Sequence, residues 1–242
     1  MRSLIVLVSS LAVAACGMTA GAQEGGTGEV ERRSFDVAGF DSVGLAGSHD
    51  VIVTVGGPAS VRAEGDPKIL EKLDIRVVGS TLRIGTQKGV NWNAGFLRNR
   101  KPVTVYVTVP SLVGASVAGS GDLKVDKIEG DRFRGAVAGS GDLQVAAIRV
   151  GEAEFSVAGS GDIRATGSAG RLKANLAGSG DLHLDGLEAK DAEVSVAGSG
   201  DIRARATGTA NVSLSGSGDV TMAGGAQCTV RKRGSGEVNC QG

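Results

Sequence analysis

Val157-Ala158-Gly159-Ser160-Gly161-Asp162-Ile163 is one copy of a string that is repeated along the second half of the chain. Gly-Ser-Gly-Asp starts at Gly119, Gly139, Gly159, Gly178, Gly198 and Gly216, and a seventh copy at Gly234 carries Glu237 in place of Asp. The intervals are 20, 20, 19, 20, 18 and 18 residues. A unit that small cannot bury its own apolar face, so the units must stack and share one core.

Aligning the copies on their first glycine exposes apolar columns. Two positions before it stand Val117, Val137, Val157, Leu176, Val196 and Leu214. Six before it stand Val113, Phe133, Ala153, Leu172, Ala192, Ala210 and Cys228. Four after it stand Leu123, Leu143, Ile163, Leu182, Ile202, Val220 and Val238; six after it, Val125, Val145, Ala165, Leu184, Ala204, Met222 and Cys240. Spacing by two on both sides of a turn is the strand signature. The pattern predicts an all-β fold, a right-handed parallel β-helix in which each Gly-Ser-Gly turns the chain between two faces. A β-propeller is the alternative, but a four-stranded blade needs about 40 residues.

The Asp after each turn faces outward, because its neighbour faces in. Asp122, Asp142, Asp162, Asp181, Asp201, Asp219 and Glu237 therefore form a column of turn-capping carboxylates. Carboxylates about 4.8 Å apart repel by roughly 1 kcal/mol in water, and by more near an apolar surface. Lys124, Arg164, His183 and Arg203, two residues on, and the turn amides are expected to offset that repulsion. Calcium-loaded β-rolls are the competing reading. Their repeat of about nine residues separates Asp from the glycines, whereas here Asp follows Gly directly and cations stand beside it.

The final copy departs from the others. Lys232 occupies an apolar column, and Cys228 and Cys240, 12 apart, occupy two columns flanking one turn. An inward charge discourages edge-to-edge pairing. A disulfide closing a loop of that length adds about 3 kcal/mol in the chain-entropy model. Residues 226–242 are read as a capping rung stapled across its interior.

Residues 34–110 form a β-rich N-terminal part of the same domain, and 111–242 the repeat solenoid. Strands are expected at Val51–Val55, Ser60–Ala63, Leu73–Val78, Thr81–Ile84 and Val103–Val109. One short helix is expected after Asp66-Pro67. Leu45-Ala46-Gly47-Ser48-His49-Asp50-Val51 echoes the repeat. Gly89 to Lys101 reads as a long loop, with Trp92, Phe96, Arg98 and Arg100 as a candidate contact set; packing of its two rings as a satellite cluster is the competing reading.

Residues 1–22 read as an export signal: Arg2, then an apolar run from Leu4 to Ala15 too short to span a bilayer. Val13-Ala14-Ala15-Cys16 is a lipobox that would lipidate Cys16, and Ala20-Gly21-Ala22 is a competing site that cleaves before Gln23. Both remain open. Residues 23–33 form a polar tether. The chain is expected in the periplasm or at the outer membrane or cell surface, with membrane contact only through a lipid anchor.

Basic and acidic residues balance at 26 each, and no basic block exceeds Arg231-Lys232-Arg233, so nucleic-acid binding has no electrostatic footprint. Aromatics are 3% of the chain, fewer than a ring-lined carbohydrate platform or a broad enzyme core requires. His49 and His183 stand apart from any cluster with metal-ligand spacing. No cofactor is implied.

With these residues in view, the chain resembles a family of exported bacterial proteins, the putative autotransporter adhesins with a head GIN domain. The resemblance covers Phe35 to Cys240. It rests on the strands from Phe35-Asp36-Val37 to Val55, on Gly65-Asp66-Pro67, on Gly79 to Ile84, and on Val105 to Leu112. The iterated Ala-Gly-Ser-Gly-Asp and the closing Cys pair complete it. It implies a β-helical envelope protein, and its word "adhesin" is an analogy from fold. No membrane β-barrel segment follows the repeat, so we expect that the chain is not a self-sufficient autotransporter.

The expected function is a non-enzymatic structural or binding module that offers a rigid solenoid face, or the 89–101 loop, to a glycan or protein of the envelope or its surroundings. A polysaccharide-active β-helix enzyme is the second reading, since aligned carboxylates such as Asp162 and Asp181 could converge on a glycan. Their identical surroundings argue against it, because an acid–base pair needs environments that differ. A calcium-dependent surface protein is the third.

Overall fold

A computed structural model of the chain describes residues 30–87, 89 and 101–241. It is a β-solenoid of parallel coils, closed at its N-terminal end by antiparallel strands and one short helix, with a core that runs unbroken along the stack.

The regular coils are β8 (Gly114–Gly119) with β9 (Leu123–Val125), then β10 (Ile128–Gly139), β11 (Leu143–Gly159), β12 (Ile163–Gly178), β13 (Leu182–Gly198) and β14 (Ile202–Gly216). The last full coil is β15 (Val220–Ala223) with β16 (Gln227–Gly234), and β17 (Val238–Cys240) begins one more, stacked on β15. Each pairs in parallel with the same segment of the next coil, so Leu143 lies beside Ile163, and Ile163 beside Leu182. Like apolar residues thus stack into ladders that exclude water, and each large buried side chain contributes about 1.5–3 kcal/mol relative to exposure.

A coil has three walls. In β11 the inward residues are Leu143 and Val145, then Ile148 and Val150, then Ala153, Phe155 and Val157; alternation breaks between these groups, where the chain bends. The unequal repeat lengths are absorbed at those breaks. Register shifts fall between Val145 and Ile148 and between Leu184 and Glu188, so the inward columns stay aligned on either side.

The corner explains both glycines, for different reasons. Gly159 has φ of 136°, a region closed to side chains. Gly161 is excluded from substitution by contact: a Cβ there would lie 2.0 Å from the carbonyl oxygen of Gly141, one coil back. Corner amides point along the stack, since Ser160 and Gly161 both donate to the Gly139 carbonyl, at 2.9 and 3.0 Å.

The N-terminal part is the same solenoid in a different chain order. The echo at Gly47 is a true coil: β2 (Ser42–Gly47) and β3 (Asp50–Val55) pair in parallel with β8 and β9, placing Gly47 beside Gly119. The coil stacked on its far side comes later in sequence, as β6 (Thr81–Thr86) and β7 (Thr104–Val109). Antiparallel strands close this end: β1 (Glu31–Phe35) on β4 (Ser60–Gly65), β4 on β7, and β5 (Leu73–Val78) on β6. The helix α1 (Pro67–Leu70) is capped by Asp66, whose side chain accepts from the Lys68 amide at 2.9 Å.

Two column assignments need correction. Val113 aligns with Phe133 in sequence but is exposed, while Leu112 is buried. Here the chain crosses from β7 to β8 on the other side of β2, and the Val113 amide donates to Asp41 before the coil begins. Lys232 holds the register position of an inward residue, opposite Leu214, yet is exposed. No further described coil covers it, and its Nζ folds over the end to donate to the Gly236 carbonyl at 2.8 Å.

Candidate functional surfaces

The carboxylate column is built from the corner outward. After Gly161 the backbone amide of Asp162 faces the preceding coil, and the Asp142 Oδ1 accepts it at 3.0 Å. The same bond recurs from Asp142 to Asp122, Asp181 to Asp162, Asp201 to Asp181, Asp219 to Asp201 and Glu237 to Asp219, at 2.7–3.2 Å. Each carboxylate thus serves as the acceptor for the next coil's corner amide. A neutral acceptor would do this less well, because charge-assisted bonds are about twice as strong. The exception in the repeat has the same cause. Beyond Glu237 no described coil presents an amide, so nothing there requires the short Asp side chain.

Cations contribute less than the sequence suggests. Among the described residues, Arg164 alone of the four flanking cations pairs with the column, at 3.1 Å from Asp162 and 3.6 Å from Asp142. No group of three or more His, Cys, Asp or Glu side chains among the described residues could hold a metal ion.

The wall leading into the corner carries a second, unforeseen pattern on its outer side. One column reads Arg132, Glu152, Arg171, Asp191, and its neighbour Arg134, Glu154, Lys173, Glu193, by register across β10 to β13. Charge therefore alternates coil by coil. Arg134 donates to Glu154 at 2.6 Å and Lys173 pairs with Glu152 at 3.3 Å. Asp191 ends its column by accepting from the Thr209 hydroxyl at 2.7 Å and the Thr209 amide at 3.1 Å, which together hold its carboxyl below the usual range. Sequence periodicity contains this pattern, but only the register shows which charges are neighbours.

His49 takes the place of the second corner glycine in the β2–β3 coil. It is buried, with Nε2 3.3 Å from the Thr86 Oγ1. Burial pushes its pKa down, against a smaller upward pull from Asp50.

Cys228 and Cys240 are joined, with Cα atoms 6.6 Å apart. Both hold inward register positions, opposite Ala210 and Met222, so the bridge spans the end of the stack, where Cys240 is exposed because no described coil lies beyond it. Trp92, Phe96, Arg98, Arg100 and Cys16 lie outside the described residues. β6 ends at Thr86 and β7 begins at Thr104, and the sequence between them carries no Gly-Ser-Gly.

Comparison with known proteins gives a consistent picture. The family model described as putative auto-transporter adhesin, head GIN domain, matches residues 39–226. A putative adhesin from Bacteroides fragilis has a similar structure at 21% identity, TM-score 0.77, over 88% of this chain and 97% of that one. A putative lipid binding protein from Parabacteroides distasonis matches at 24% identity and TM-score 0.71, over 90% and 98%. A putative adhesin from the same organism matches at 18% and 0.74, over 89% and 98%. At these identities the likeness establishes the fold. No functionally curated protein matches the sequence.

Proposed function

The chain belongs to the family of putative auto-transporter adhesins with a head GIN domain, and from that membership we propose an exported, non-enzymatic module of the cell envelope. It presents a rigid solenoid surface to a glycan or protein partner. Residues 1–22 direct export, with Cys16 as the lipid anchor if the lipobox is used, and the tether expected over 23–33 is shortened to the residues before β1, because Glu31, Arg32 and Arg33 already pair with β4.

One observation carries the reading. The aligned carboxylates from Asp122 to Asp219 are each engaged by the next coil's amide in the same way. That repetition supports a structural role: apart from Arg164 beside Asp142 and Asp162, the column's carboxyls share one environment, whereas acid–base chemistry uses differing ones. The Cys228–Cys240 bridge suits an oxidising compartment. The sequence segment bearing Trp92, Phe96, Arg98 and Arg100 stands where the other coils carry Gly-Ser-Gly, which favours a contact role.

The test is a binding screen of the exported chain against envelope glycans and proteins, run in parallel with a chain lacking residues 89–101. Retention of a partner without turnover supports the module. Turnover of a polysaccharide, abolished by Asp162→Asn, would replace it with the enzyme reading.

A further inference from the structure

The ionic ladder on the outer wall stops at one place. Through β10 to β12 its charges neutralise one another between coils. In β14 and β16 the same column continues as Asn211 and Thr229, and the column beside it reads Ser195, Ser213 and Arg231. A shallow groove of about 170 Å³ lies between these two columns, over the backbone of Val194 and Val212, whose side chains face the core. One wall is Glu193, Asn211 and Thr229, and the other is Ser195, Ser213 and Arg231.

Among the described residues, neither Glu193 nor Arg231 has an ion-pair partner, unlike Arg134, Glu154 and Lys173 on the same wall. The groove opens at the basic end of the molecule. Residues 202–241 hold five cations (Arg203, Arg205, Arg231, Lys232, Arg233) against two carboxylates (Asp219, Glu237), whereas residues 30–201 hold 20 against 22. Arg231 and Arg233 are both exposed on β16.

We propose that this groove binds an acidic saccharide unit. The guanidinium of Arg231 would take its carboxylate in a forked pair. The amide of Asn211 and the hydroxyls of Ser213 and Thr229 can each donate to and accept from sugar hydroxyls, and Glu193 can accept from them. The groove offers no aromatic platform, so binding depends on hydrogen bonds and charge, and a neutral sugar loses the charged contact. Where the repeat is uniform it serves the stack, and it deviates where the lining matches a hydroxylated anion. This rests on the reading of the chain as a binding module and names the ligand class for one of its faces.

The test uses the full chain, an oligogalacturonate as carboxylated probe, heparin as sulfated probe, a neutral malto-oligosaccharide and anionic phosphatidylglycerol vesicles. Saturable binding of the oligogalacturonate is expected, with NMR shifts at Asn211, Ser213, Thr229 and Arg231, and much weaker binding of the neutral sugar. Arg231→Gln should weaken binding at least tenfold, Arg231→Lys less, and Asn211→Ala roughly fivefold. These positions are exposed, and unchanged melting verifies that the variants fold. Salt titration of the unaltered chain gives a measurement free of any variant: affinity should fall as salt rises. Equal affinity for the neutral sugar, binding of heparin alone, indifference to Arg231→Gln, or capture by vesicles with the sugars silent would each overturn the proposal. A partner found in the wider screen that leaves these residues unshifted would overturn it while leaving the binding-module reading standing.

Discussion

The Oδ1 of Asp162 accepts the backbone amide of Asp181, the residue at its own position one coil on, at 2.9 Å. The side chain thus does the work of a carbonyl at a point where the turning backbone offers none. Asp162→Ala leaves the Asp181 amide half-buried without this acceptor and should cost about 1.5–3 kcal/mol. Asp162→Asn keeps an oxygen in place and should cost less than about 1 kcal/mol. Denaturant unfolding of the two variants measures the difference; equal costs would place the contribution in charge rather than in the bond.

Core packing compensates between neighbouring coils. Phe133 precedes Ala153 in one inward column and Gly135 precedes Phe155 in the next, so the two rings sit diagonally, 6.0 Å apart. A Cβ on Gly135 would lie 2.7 Å from the Phe155 ring. Gly135→Ala should therefore destabilise by about 1–3 kcal/mol. Its cost should shrink in a Phe155→Ala background, a coupling that a double-mutant cycle reads directly.

Stability should respond to His49. Burial holds its folded pKa below the unfolded value, so between the two values the unfolded chain binds the extra proton. Stability is then fully present above about pH 6.5 and is lost as pH falls toward the folded pKa. His49→Gln should flatten this part of the pH–stability curve while leaving its acid limb, set by carboxylates, in place.

The disulfide closes the last coil alone. Its removal through Cys228→Ala and Cys240→Ala should release the open end, at a cost near 3 kcal/mol in the chain-entropy model. Hydrogen exchange should quicken in β16 and β17 and change little in β11 to β13, whose amides are paired on both sides.

Much of this architecture was legible because one turn recurs at nearly constant spacing. The columns through Leu123, Val125 and Val137 fall on one core, and the echo at Gly47 is a coil. The middle wall was not legible. Ile128, Ile148 and Leu187 lie beside the bends where residues are gained and lost, so alignment on the glycine blurs them. Stacking order was hidden too, because nothing in the residues of β6 and β7 states on which side of β2 and β3 they settle. Repulsion within the Asp column was visible in the sequence, but the amide that each of Asp122 to Asp219 accepts from the next coil was not. The groove at Asn211 and Arg231 was illegible for a related reason: a deviation has meaning only once the register shows what it deviates from.

The most direct measurement is methyl–methyl NOE contacts along Leu143, Ile163, Leu182 and Ile202. Parallel coils in register should give strong contacts between successive members of that series, with the Asp162 amide shifting on Asp142→Ala. Contacts of Leu143 with an antiparallel, hairpin-like set of partners, or none between Leu143 and Ile163, would contradict the stacked-coil account.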